Sequence, residues 1–501
     1  MPVVSYPTLN FPPPRHTLRH CSSRLQLHFQ WTQAASLQLF VVRNALGCVV
    51  AAGFANGCFY AGNVFSRRSS TQQSRPEFLM ATLLWTITLY AIAMVLSHLP
   101  SLMTQRFVKY PEYKPSLWFC TKKLVKRSGF YFAASLSGMS AVGFLVQNTS
   151  LMYQHFKYKL HFYLGDLCTL VFTTGITLAA RKIYYEETKQ GRDRRSPRSH
   201  LRTGKSLSIS RKTHPPNFWR EYLIKFPNVL LIALAGGYVH VVSWHRILDK
   251  GTAVIMGFAI FGIALKLALQ EGARVYIIQK KIRSIRTMCV LVGVPTVLID
   301  TQTRIVLLGT QTNTVLVSGT FGMAIAEICM RVAKAVYVLW TIRRRSIALE
   351  LKFQEKTSNP EKSDNKSSTL SQKLEFESWK RRVLSYHAAE ITADMYAEYI
   401  AIGCSQSLIF WFVGHPFYPA LQLEAGHGLS EVGLARWRFN QVVMLGFQFI
   451  LEILVDYVCV VLEMAIGLEF ERIQEASTFL GVMFMTLAVL NVSISSAVYL
   501  C

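Results

Sequence analysis

Asp and Glu are missing altogether from the first 76 residues, while Arg15, Arg19, Arg24, Arg43, Arg67, Arg68 and Arg75 are spread through them. An acid-free, Arg- and Ser-bearing start has the composition of a mitochondrial or plastid targeting segment. FPPPRH at 11–16 interrupts any amphipathic helix there. Residues 1–44 are therefore read as a basic cytoplasmic tail ahead of a first span, with organelle targeting the minority alternative and the organelle itself left open. The first thirty residues carry no ordinary secretory signal.

CxxC spacing is equally absent. The ten cysteines lie scattered from Cys21 to Cys501, and Cys58, Cys168, Cys289, Cys329, Cys404 and Cys459 fall in or beside apolar runs, where they read as small buried hydrophobes. That excludes a disulfide framework and a zinc site of recognisable spacing. TGKS at 203–206 ends like a phosphate-binding loop, but Ser199 stands where its first glycine belongs and no strand precedes it. SGMSAVG at 137–143 puts Val142 at the last glycine of a nucleophile elbow. No HExxH occurs, and His240 and His245 are about 140° apart on a helix turning about 100° per residue, so they do not form a ligand pair. A TVGYG filter and a regular Arg-every-third-residue sensor are missing too. With no assembled nucleophile, base and oxyanion group, an enzyme is the least supported class, and no cofactor is called for.

Charge is scarce, at 16% of residues, whereas hydrophobic residues make up 51%. Apolar runs of about 20 residues, enough to cross a hydrocarbon core of about 30 Å, decide the class. The expected fold is all-α, a polytopic integral membrane helical bundle. Spans are placed at about 78–99, 128–153, 162–180, 226–245, 251–271, 286–309, 314–340, 395–413, 439–467 and 474–498. These ten become eleven if ALGCVVAAGFANGCFYAGNVF at 45–65 also crosses; its GxxxG step from Gly53 to Gly57 would permit close helix packing.

The net charge of +26 resides mainly in segments between these runs, which points to lipid headgroups, and no zinc-finger or RNA-binding signature accompanies it. Nucleic acid is accordingly not expected as a partner; a bilayer with anionic headgroups is, together with a possible ion or small solute. Lys and Arg in successive connections after residue 99 alternate between many and few, 37 in the odd-numbered connections against 6 in the even ones when Arg286 is counted to its connection. The odd set should be cytoplasmic. The chain then divides into the tail, first membrane helices at 45–180, a basic flexible cytoplasmic linker at 181–225, central membrane helices at 226–342, a charged linker with an amphipathic helix at 343–392, and C-terminal membrane helices at 393–501. Trp379 would anchor that amphipathic helix at the interface.

Ionisable residues inside the spans carry the candidate chemistry. Glu452, Asp456 and Glu463 project within an arc of about 40°, and Glu327, Arg331 and Lys334 within about 60°. Counted from the starts of their spans, Arg331 and Asp456 share a depth, which invites an ion pair in a medium where an isolated charge costs on the order of 3 kcal/mol or more. His387, Glu390, Asp394 and Glu398 form a further stripe of about 80°. These four residues are the candidate inner mouth of the cluster, with Asp394 and Glu398 at the cytoplasmic end of their span. Lys266 and Asp166 stand as lone charges, read as paired or snorkelling.

The stripes admit two main readings: a pathway in which carboxylates relay protons or replace the hydration of a cation, or a structural network fixing helix register in a noncatalytic scaffold or receptor-like protein. The carboxylate and imidazole types suit Mn or Fe, but no pair of ExxH motifs accompanies them and the metal is left unknown. Eleven crossings would put the termini on opposite sides, the N-terminus inside. Epitope tags at the two ends should then differ in antibody access in sealed vesicles, and equal access would refute the topology.

Overall fold

The structure, a computed structural model, describes residues 23–109, 112–148, 158–195, 217–244, 252–282, 284–308, 313–357, 366–421, 431–465, 468, 470, 473 and 476–500. Residues 1–22, residues 196–216 of the 181–225 linker, and residues 358–365 lie outside that set.

Among the described residues, eleven helices of 23 residues or more form a bundle: α1 Ser23–Ala61, α2 Arg75–Met103, α3 Leu117–Asn148, α4 Leu160–Glu187, α6 Phe218–Trp244, α7 Thr252–Gln279, α8 Ile285–Leu308, α9 Asn313–Thr357, α10 Lys366–Phe412, α11 Glu431–Ala465 and α12 Ser477–Tyr499. A short α5, Lys189–Arg195, follows α4. No strand occurs among the described residues, where Phe107 and Thr188 make an isolated bridge. Eight of the long helices are apolar enough along their length to cross a membrane: α1, α2, α3, α4, α7, α8, α11 and α12. The protein is thus an all-α, multi-pass membrane bundle. Phe54, Phe130, Phe144, Ile260, Phe439 and Ile450 point outward, which a lipid solvent tolerates and water would penalise.

Asp300 and Arg304 both fall within α8, which ends at Leu308, and α9 starts at Asn313, so 286–340 holds two helices as expected. Residues 343–357, taken as linker from their composition, continue α9, and 366–373 begin α10. The first span begins well before residue 45, since the apolar stretch of α1 runs from Trp31 to Ala61. Gly57 lies against the Trp411 ring of α10, while Gly53 faces open space, so the GxxxG step is not a paired contact. The closest approach of α1 to α10 is instead at Gly403, where an added Cβ would come within 2.5 Å of Val49.

α10 is the central element. From Tyr386 to Ile409 its side chains are almost continuously buried, and α1, α7, α8, α9, α11 and α12 all pack on it. Two stripes of four-residue period explain how. Ala389, Ala393, Ala397 and Ala401 keep one face narrow, and α8 closes on it, with Cys289 Sγ 3.9 Å from the Ala389 carbonyl. About 100° around the helix, Glu390, Asp394 and Glu398 form the adjacent stripe. Trp379 is buried rather than interfacial: it packs with Val338, Ile342 and Val383, and the Arg345 guanidinium lies 4.2 Å from its ring centre.

α1 ends where the chain turns into α2. Gly62 takes φ +61°, its carbonyl accepts from Trp85 Nε1 at 2.9 Å, and Gln73 Nε2 donates to the Ala61 and Asn63 carbonyls. A Cβ at Gly62 would come within 2.4 Å of Gln73 Oε1 and 2.8 Å of the Phe78 ring. Gly62→Ala should therefore destabilise the bundle by about 1–3 kcal/mol through backbone strain and this clash, read as a lowered thermal midpoint in detergent. An unchanged midpoint would refute this account of the turn.

Candidate functional site

The polar interior is assembled from α7, α8, α9, α10 and α11. Arg331, on α9, sits at its centre. Its Nη1 donates to Asp456 Oδ1 at 2.5 Å and to Glu327 Oε1 at 3.4 Å, and its Nε and Nη2 meet the two oxygens of Glu463 at 3.2 and 3.3 Å. Asp456 and Glu463 are 0% and 1% exposed. The matched depth of Arg331 and Asp456 inferred from the two charge stripes is thus a direct contact.

Lys334, one turn on, donates to Glu390 Oε1 at 3.2 Å and Gln270 Oε1 at 3.0 Å, and His387 Nδ1 is 3.7 Å from Glu390. Because α9 and α10 run antiparallel, Glu327 lies opposite Glu398 as Lys334 lies opposite Glu390. Glu398 thus joins the carboxylates around Arg331. Its carboxylate, with those of Glu327 and Asp456, places three oxygens within 4.8 Å of one another, and it also faces Glu452. The apolar count began the span at 395, but the buried part of α10 begins near Tyr386, where paired charges make the interior look like surface.

Three participants stood outside the sequence stripes. Lys266, on α7, donates to Asp300 Oδ2 at 2.8 Å and lies 3.5 Å from Asp394 and 3.9 Å from Glu398. Arg304 is 3.5 Å from Glu452. Asp300 and Arg304 are four apart on α8, and Lys266 and Gln270 four apart on α7, so the same periodic test exposes both pairs. Gln270 Nε2 donates to Asp394 Oδ1 at 2.7 Å. Tyr399 accepts from Gln38 Nε2 of α1 at 2.7 Å and lies beside Asp456.

The result is a continuous polar path. It runs from His387 through Glu390, Lys334, Gln270, Asp394 and Lys266 to Glu398 and the central carboxylates. From His387 to Glu398 it follows α10 for about 16 Å, half a hydrocarbon core. Eight carboxylates take part, Asp300, Glu327, Glu390, Asp394, Glu398, Glu452, Asp456 and Glu463, against the four cations Lys266, Arg304, Arg331 and Lys334. Among the described residues Glu398 Oε2, Glu452 Oε1, Asp456 Oδ2 and His387 Nε2 have no hydrogen-bond partner.

Acceptors facing acceptors in a dry interior call for bound protons or a bound cation. Glu327, Glu398 and Asp456 offer the hard oxygens that cations such as Na⁺, Mg²⁺ or Mn²⁺ accept. The Arg331 guanidinium on Asp456 competes with a divalent ion and leaves a proton or monovalent ion the better electrostatic fit.

No family model matches the chain, and comparison with curated proteins and with solved structures gave no match.

Lys266→Met would leave Asp300, Asp394 and Glu398 facing one another without their shared cation. A loss of about 3–5 kcal/mol is expected, because breaking a buried ion pair strands its partners. Arg304→Met, which removes a single 3.5 Å contact, should cost less. Thermal unfolding of both variants in one detergent tests the order, and the reverse order would contradict this arrangement.

Proposed function

We propose that the protein moves protons or a monovalent cation across its membrane along the α10 carboxylate stripe. The observation that carries this reading is the twofold excess of carboxylates over cations among the described residues of one network, with three carboxylate oxygens left without a hydrogen-bond partner. A network built only to hold helices would be served by matched charges. An unmatched one gains or loses a mobile positive charge at low electrostatic cost. The path from His387 to Glu398 provides successive sites at hydrogen-bond or ion-pair spacing, each able to pass a proton to the next. The basic segments at the cytoplasmic end would rest on anionic headgroups.

The alternative, a scaffold or receptor-like protein whose charges serve packing, draws on the tight bonding of Arg331 to three carboxylates. Reconstituted vesicles separate the two. With a pH dye inside and an imposed gradient, or with a cation replacing the proton, the wild-type chain should give flux above empty vesicles. Glu398→Gln and Asp456→Asn should reduce it to background, while Arg127→Gln, in the α3–α4 ion pairs, should leave it intact. Folded variants with undiminished flux, or a wild type with none, would favour the scaffold.

A further inference from the structure

A second polar site lies apart from the charged network, between α2, α4 and α12. It is a cavity of about 30 Å³ lined by Thr86, Tyr90, His161, Asp166, Thr169 and Ser493 among apolar neighbours. Asp166 is only 7% exposed, and no ion pair reaches it among the described residues. Its Oδ1 accepts from Thr169 Oγ1 at 3.2 Å, and its Oδ2 has no hydrogen-bond partner among the described residues. The ammonium of Lys225 is engaged elsewhere, donating to the Thr173 carbonyl at 3.0 Å and to Thr177 Oγ1 at 2.5 Å.

The hydroxyl groups around this carboxylate have already committed their hydrogens. Thr86 donates to the Thr82 carbonyl at 2.8 Å, Thr169 to the Asp166 carbonyl at 2.7 Å and Ser493 to the Val489 carbonyl at 2.9 Å. Thr173 gives its hydrogen to the Thr169 carbonyl at 2.9 Å, so Tyr90 donates to Thr173 Oγ1 at 2.8 Å. The hydrogen on His161 Nε2 is directed at the Ala497 carbonyl, 2.9 Å away. What the hydroxyls and the carboxylate turn to the cavity is therefore oxygen lone pairs, with one full negative charge among them. Its volume exceeds the roughly 10–15 Å³ that one water-sized occupant requires.

We propose that this cavity binds one dehydrated monovalent cation of the Na⁺ class, with Asp166 as the charged ligand and the oxygens of Tyr90, Thr169 and Ser493 completing its shell. Hard oxygen ligands around a single carboxylate match such an ion in charge and chemistry. The site joins the N-terminal helices α2 and α4 to the C-terminal α12, so an ion there ties together parts of the chain more than 300 residues apart in sequence. It stands independently of the transport reading.

The test is equilibrium binding of ²²Na⁺ to the purified full chain in detergent, paired with thermal midpoints in NaCl and in choline chloride. Wild type should bind Na⁺ and melt higher in NaCl. Asp166→Asn should lose at least tenfold in Na⁺ affinity together with the Na⁺-dependent stabilisation, and Ser493→Ala should weaken both. Arg127→Gln, in the α3–α4 ion pairs, should retain both. The proposal is overturned if wild type shows neither binding nor a Na⁺-dependent midpoint. It is also overturned if Asp456→Asn abolishes binding while Asp166→Asn preserves it, or if acidification alone reproduces the stabilisation, which would make the occupant a proton.

Discussion

Arg331 lies at the middle of the bundle, its guanidinium donating to Asp456, Glu463 and Glu327. In a hydrocarbon interior such a group is tolerated only with its donors satisfied by acceptors on neighbouring helices. Two of its acceptors are on α11 and one on its own helix, so α9 and α11 are bound to a single register. The carboxylates brought in to satisfy it then need partners of their own. Lys266 and Arg304 supply some of them from α7 and α8, and the carboxyl stripe of α10 completes the group. Much of the helix arrangement in the C-terminal half follows from keeping these charges together.

Packing and charge are divided between neighbouring faces of α10. Alanines at every fourth position let α8 come close without side chains between the two backbones, and the acidic stripe beside them meets α7 and α9. A bundle in lipid gains little from burying apolar surface between helices, since the tails are as apolar as Leu. Close backbone contact and interhelical hydrogen bonds supply the attraction instead, and α10 carries both on its circumference. The aromatic pair Tyr396 and Phe484, stacked with centroids 4.4 Å apart, fixes α12 against the same helix.

Much of this was legible in the sequence because a membrane restricts what the chain can do. Apolar length reveals spans, and an ionisable residue within one is expensive enough to imply a partner. The pairing of Arg331 with Asp456 followed from two stripes and a depth count. Lys266 reads as a lone charge when taken singly, and Asp300 and Arg304 lay outside the stripes, although the four-residue spacings on α7 and α8 carried the signal. The start of the buried part of α10 was set too late, at 395, because hydropathy scores a buried charged turn as surface. The Asp166 cavity was hidden for a different reason: its oxygens come from three separate helices, and no local period connects Thr86, Asp166 and Ser493.

The lengths of α9 and α10 have a mechanical consequence. At 45 and 47 residues they extend about 68 and 70 Å, more than twice the thickness of the hydrocarbon. Their outer parts are clasped together by Arg345 over Trp379 and by Val338, Ile342 and Val383, while their inner parts carry Arg331, Lys334, Glu390 and Glu398. Continuous helix thus joins the clasped parts of the pair to the buried charges. Any change in how the clasped parts cross would therefore shift the spacing of the buried carboxylates as well.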